Sequence, residues 1–126
     1  MVTVDERSAG KENAGEESAG EESEREPSAL AGAVDLLKAL AAEVRLAVVA
    51  ELAVGPRRVG ELQAALQAHQ REVSQPLLSQ HLRVLRDAGM VTTTRVGTEI
   101  TYRLADDRIA HLVEDAIHHA SRAGTA

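Results

Sequence analysis

Between Ser74 and Leu104 the chain changes its hydrophobic period once, and it does so at a glycine. In S-Q-P-L-L-S-Q-H-L-R-V-L-R-D, Leu78, Leu82 and Leu85 return at helical spacing. Ser74 stands where a cap belongs, and Pro76 falls in the first turn, where its missing N–H does no harm. Gly89 is a natural C-terminal stop. The runs Val91–Arg95 and Thr98–Leu104 then alternate and are rich in Thr, Val and Ile, which reads as strand. Gly97 supplies the positive φ that a tight hairpin turn needs. An amphipathic helix followed at once by a two-stranded ribbon fits few folds. Its apolar stripe leaves Ser79, Arg83 and Arg86 on a different face, with Gln75 and Gln80 nearby.

The remaining periodic segments are helical. Ser28 is placed to cap a helix carrying Leu30, Val34, Leu37 and Leu40. A second helix is expected over about 43–54, with Leu46, Val49 and Ala53 on one face, ended by Gly55-Pro56. A third is expected over about 59–68, anchored by Leu62 and Leu66, and a polar connector, A-H-Q-R-E-V, follows it. A fifth is expected over about 106–121. The fold class is therefore mainly α with a β-hairpin wing: five helices in a winged helix-turn-helix arrangement. Its domain runs over 28–121, with a flexible C-terminus at 122–126.

Residues 1–27 hold nine acids and three bases, and residues 28–126 hold eleven of each, so the formal net charge of −6 belongs to the N-terminal stretch. A unit A-G-K-E-N, A-G-E-E-S, A-G-E-E-S recurs over Ala9–Ser23 and contains nothing that builds a core, so a disordered acidic tail is expected over 1–27. Such a tail either solvates the protein or competes with an external polyanion for a basic face. Between Arg71 and Arg103 five Arg face only Glu72, Asp87 and Glu99, a modest local basic bias.

With one Tyr and no Phe or Trp, the chain lacks the aromatic faces on which single-stranded bases stack. The absence of Cys excludes disulfides and thiolate metal sites. No apolar run approaches membrane-spanning length, so no membrane partner and a cytoplasmic location are expected. No set of nucleophile, base and orienting group is visible, which argues against an enzyme.

Two helices joined by a turn, with the second amphipathic, form the helix-turn-helix pattern, whose second helix reads the major groove. Gln and Ser hydrogen-bond base edges, and Arg grips guanine or phosphate. The candidate DNA-binding residues are Gln75, Ser79, Gln80, Arg83 and Arg86, with Arg95 near the hairpin tip placed to reach phosphates or an adjacent minor groove. Taken singly, each is an ordinary solvated side chain; the DNA reading rests on their grouping with a basic-tipped hairpin directly after them.

The strings L-K-A-L-A-A-E-V-R-L-A-V-V-A-E-L, V-G-E-L-Q-A-A-L, S-Q-P-L-L-S-Q-H-L-R-V-L-R-D-A-G-M-V and G-T-E-I-T-Y-R-L resemble the ArsR/SmtB family of bacterial winged-helix repressors. The resemblance covers about 28–120. It implies a homodimer through the first and last helices that binds double-stranded operator DNA and releases it when a metal binds. One departure is the connector Gln67–Val73, several residues longer than the family's turn.

The resemblance also implies where a metal would bind. Family members with cysteine-bound metals carry Cys at the start of the third helix, where this chain has Arg58 and Gly60. Zinc, cobalt and nickel sensors of the family use the last helix, and the matching positions are Asp106, Arg108, His119 and Arg122, so two of four ligands are retained. Three readings stand side by side. Asp106 and His119 pair across the dimer without metal; or they form a weak zinc or nickel site; or His111, Asp115 and His118, at i, i+4 and i+7, make a surface cluster. The overall expectation is a repressor-type DNA-binding regulator with a degraded metal site. Its alternatives are a zinc or nickel sensor and a winged-helix module that binds protein instead of DNA. If metal sensing is lost, the inducer is another ligand or an effector-sensing partner protein.

Overall fold

The structure is a computed structural model that describes residues 18–125, with side chains over 27–123. In chain order it contains α1 (Ser18–Leu40), α2 (Glu43–Val54), β1 (Arg57–Arg58), α3 (Val59–Ala68), α4 (Gln75–Asp87), β2 (Val91–Val96), β3 (Glu99–Leu104) and α5 (Asp107–Thr125). The chain divides into two compact units at Asp35 and Leu36. In the first unit α1 leaves Leu30 and Val34 exposed. The second unit holds the remaining elements and the buried core.

That core is aliphatic, as the lack of aromatics requires. Val48, Val49 and Leu52 of α2, Leu62 and Leu66 of α3, Leu78, Leu82 and Leu85 of α4, Met90, Val91, and Ile109 and Val113 of α5 are all buried. Each such side chain contributes about 1.5–3 kcal/mol by leaving water. No polar side chain is buried with them among the described residues.

The helix ends carry the turn chemistry that sets the next element. At the start of α4, Leu77 N donates to Ser74 Oγ at 3.2 Å, the cap expected from sequence. At its end, Met90 N donates to Leu85 O at 3.0 Å and Gly89 N to Arg86 O at 2.9 Å, with Gly89 at φ 78°. This is a Schellman motif, and the buried Leu85 and Met90 seal it. It turns the chain directly into β2. β2 pairs antiparallel with β3 from Val91↔Leu104 to Val96↔Glu99. At the hairpin tip Gly97 has φ 64° and no positive φ is recorded for Thr98, the signature of a type II′ turn.

Several features differ from the sequence reading. α1 begins at Ser18, not Ser28, so Pro27 lies within it; the Glu and Arg residues at 21–26 are strong helix formers and carry the helix back. The rest of the expected disordered tail, residues 1–17, lies outside the described residues. α5 continues past Ser121 to Thr125 through Arg122 and Ala123, which favour helix. On α2 the buried residues are Val48, Val49 and Leu52, while Leu46 and Ala53 are half-buried, because β3 and α5 both pack on it and rotate the covered face. Finally, the sheet has three strands in the order β1-β3-β2, with Arg57↔Tyr102 and Arg58↔Thr101 paired antiparallel. A two-residue strand is too short to show a period, so sequence could not reveal it. Among the described residues no helix is long and apolar enough to cross a membrane.

Candidate nucleic-acid interface

The orientation of α4 follows from its leucines. Leu78, Leu82 and Leu85 are 0%, 1% and 0% exposed and lock one face against α2, α3 and β2. The other face is consequently fixed toward solvent, and Gln75, Ser79, Gln80, Arg83 and Arg86 are all exposed. Ser79, Gln80, Arg83 and Arg86 line one open groove of about 540 Å³, together with Pro76, Asp87 and Tyr102. Gln75, at the helix start, does not line it. Arg95 lies apart on β2, exposed, opposite Ile100 and next to the hairpin turn.

Electrostatics divide the arginines into two sets. Arg57 pairs with Glu51 at 4.0 Å, Arg58 with Glu99 at 2.9 Å and Glu61 at 3.2 Å, and Arg71 with Glu43 at 3.1 Å. Arg83, Arg86 and Arg95 form no ion pair among the described residues. Their charge is available to an external anion. Arg58 is the opposite case: the hydrogen bond to Glu61 and the charge of Glu99 raise its pKa further. Glu61 is held below the usual carboxylate range, first by accepting from Arg58 N at 2.8 Å and then by the Arg58 guanidinium. Both side chains are about half exposed, at 48% and 46%, so this clamp orders the wing base more than it stabilises the fold.

Two features of the site escaped the sequence. Tyr102 alternates along β3 like its neighbours, and only the fold of β3 beside α4 puts it in the groove. Arg45 on α2 lies with Nη1 3.1 Å from His81 Nδ1 on α4, and its Nε donates to Ala39 O. An arginine can only donate, so His81 Nδ1 accepts and the ring is neutral with its hydrogen on Nε2. Burial first, and then the charge of Arg45, push the His81 pKa down. No local pattern marks residues this far apart as partners.

The metal-ligand candidates do not assemble within the chain. Asp106 Oδ1 accepts from Arg108 N at 2.8 Å, and its carboxylate lies 3.8 Å from Arg108 Nε, so Asp106 caps α5. His119 is exposed and lines a shallow depression with Asp115, His118 and Arg122. No group of three or more His, Asp or Glu side chains placed to hold an ion is found among the described residues, and this includes His111, Asp115 and His118. Each candidate ligand of the family position has a guanidinium beside it in sequence or space. Within one chain, Asp106 and His119 are thus not joined by a third carboxylate or imidazole among the described residues.

Residues 42–93 match the family described as bacterial regulatory protein, arsR family. The HTH-type transcriptional repressor SmtB of Mycobacterium tuberculosis is 52% identical over 91 residues, which is 72% of this chain and 64% of that protein. The chain thus spans somewhat under two thirds of the length of that relative. The crystal structure of the transcriptional repressor BigR from Xylella fastidiosa is 38% identical with a TM-score of 0.61, covering 77% of this chain and 91% of that one. The homodimeric winged helix-turn-helix DNA-binding domain of Mb0332 from Mycobacterium bovis has a TM-score of 0.67 at 29% identity, covering 77% and 85%. On the family match, the BigR coverage and the shared winged-helix architecture, the chain belongs to the arsR family of bacterial regulatory proteins.

Proposed function

We propose that the protein is a sequence-specific, double-stranded DNA-binding transcriptional regulator of the repressor type, acting as a homodimer and performing no catalysis. The observation that carries this is the α4 groove. The buried leucines turn Ser79, Gln80, Arg83 and Arg86 outward together, and the two arginines there have no ion pair among the described residues. Gln80 and Ser79 supply base-edge hydrogen bonds, Arg83 grips guanine or phosphate, and Arg86, Arg95 and Gln75 hold the backbone. SmtB and BigR, both named transcriptional repressors, support the direction of control.

Dimer formation is supported by unburied apolar surface. Leu30, Val34 and Leu37 on α1 and Leu112 and Ile117 on α5 are 39–59% exposed. On α5 the apolar stripe is divided, with Ile109 and Val113 covering the core and Leu112 left exposed for a second copy. The Mycobacterium bovis neighbour is described as homodimeric. Two reading helices then occupy successive major grooves, about 34–36 Å apart. An effector, ligand or protein, acts by favouring one dimer geometry over the other.

An electrophoretic shift with the DNA upstream of the protein's own gene tests the reading. The wild-type chain shifts it, and the double substitution Gln80→Ala, Arg83→Ala removes the shift while light scattering still reports a dimer. A wild-type chain that shifts no such DNA is a protein-binding winged helix instead.

A further inference from the structure

The long connector between α3 and α4 builds something. Its first turn is a second Schellman motif: Arg71 N donates to Leu66 O at 2.9 Å and Gln70 N to Gln67 O at 2.9 Å, with Gln70 in the left-handed region at φ 64°. Its far end is strapped by Gln63 Nε2 donating to Val73 O at 2.9 Å, and Val73 is buried. Between these anchors the chain swings His69 and Arg71 over α2, where His69 Nε2 lies 3.5 Å from Glu51 and Arg71 Nη2 lies 3.1 Å from Glu43. The result is an open groove of about 360 Å³, with Leu46, Ala47 and Ala50 of α2, Leu66 of α3 and Ile117 of α5 as its apolar lining and with Arg71, His69, Glu43 and Glu51 as its polar lining. Its volume lies within the range of small-molecule sites, and its composition, an apolar floor with a few polar groups at one side, is theirs too.

We propose that this groove binds a small organic carboxylate with an aliphatic body, the carboxylate on Arg71 and the body on the Leu46, Leu66 and Ile117 floor. The sign of the charge follows from exposure. Glu43 is 77% exposed, so a cation placed on it would stay in solvent; Arg71 is 38% exposed and adjoins the floor. Arg71 is also under-used. Its bond to His69 O is long, at 3.4 Å, and its Nε is buried with no partner among the described residues. A buried donor without a partner is costly, and a ligand that draws the guanidinium into a better network relieves that cost. Glu51 is a poorer point of entry, because Arg57 and His69 both hold it. An incoming carboxylate therefore displaces the exposed Glu43, the weakly held competitor. The connector also sets the approach of α3 to α4, so occupancy changes operator affinity; that last consequence alone rests on the DNA-binding reading.

Octanoate is a suitable probe, with octylammonium as the opposite charge on the same body. Calorimetry and methyl NMR on the full chain should show saturable octanoate binding that shifts the Leu66 and Ile117 methyls. Arg71→Gln should weaken it at least ten-fold, Ala50→Leu should abolish it by filling the floor, and Glu43→Gln should tighten it several-fold by removing the competitor. Glu43 is a solvated side chain, so that last variant keeps the test valid even if the others misfold. Octylammonium binding as well as octanoate, no response to Glu43→Gln, or octanoate binding seen only when the dimer dissociates overturns the proposal, the last because a second copy then fills the groove. A chain that binds octanoate as described but shifts no DNA sinks the regulator reading and leaves the site standing.

Discussion

Arg45 Nη1 on α2 lies 3.1 Å from Nδ1 of His81 on α4, so α4 is tied to α2 by a bond that only a neutral imidazole can accept. The same guanidinium donates through Nε to Ala39 O at the end of α1. Protonating His81 removes its acceptor and sets two cations side by side.

Acid therefore loosens this junction. The folded His81 pKa lies below the ordinary histidine value, through burial and then Arg45, so the folded state binds fewer protons than the unfolded state across that window. Its contribution to stability is fully present above about pH 6.5 and is lost as pH falls through the lowered folded value. Urea unfolding at pH 7.5 and pH 5 should show a smaller acid loss in His81→Gln, whose carbonyl accepts from Arg45 without titrating. Equal losses in the two proteins would assign the acid sensitivity to other groups.

On the DNA side, Arg83→Ala should weaken operator binding by about 1–3 kcal/mol if it grips a base, and should relax sequence preference at that position. Arg95→Ala should weaken all sequences alike and lower the slope of log K against log salt by about 1 if Arg95 meets a phosphate. Both residues are exposed, so thermal unfolding should be nearly unchanged.

Gln70 and Gly97 share the left-handed region, at φ 64° each, but only one of them is suited to it. Gln70→Gly should stabilise the protein by about 1 kcal/mol, and Gly97→Ala should destabilise it by about 1–2 kcal/mol. Chemical denaturation of the two variants checks both signs at once.

Leu82 is 1% exposed at the centre of the α4 face whose packing turns Ser79, Gln80, Arg83 and Arg86 toward solvent. Leu82→Ala should cost about 2–5 kcal/mol in unfolding free energy. Operator affinity measured well below the melting temperature should fall as well, because α4 loses its fixed rotation. Full affinity in a strongly destabilised variant would show that DNA itself orients the helix.

What could be read from the sequence was local. The α4 stripe of Leu78, Leu82 and Leu85, the Ser74 cap, the Gly89 stop and the Gly97 turn each declare themselves within a few residues, and the structure has all of them. The outward grouping of Ser79, Gln80, Arg83 and Arg86 followed from the same stripe. What could not be read was tertiary. The β1 strand exists only because β3 is there to receive it, and the Arg45–His81 bond joins residues on different helices. The start of α1 was hidden by composition, since Glu-rich sequence suits both a solvated tail and a helix. The connector was visible as extra length, but not as a wall, because its direction depends on Gln70 adopting a conformation that glutamine rarely takes.

The two residue pairs Arg57↔Tyr102 and Arg58↔Thr101 clasp the chain into a ring that encloses α3, the connector, α4 and β2. The entropy of closing such a ring grows only with the logarithm of its length, about 0.6 kcal/mol for each doubling, so a few extra residues within it change stability by a few tenths of a kcal/mol at most. The segment between α3 and α4 can lengthen almost freely as far as folding is concerned, and it is that segment which walls the groove beside α2. The connector thus forms a surface beside α2 at a point in the ring where its own length hardly disturbs closure.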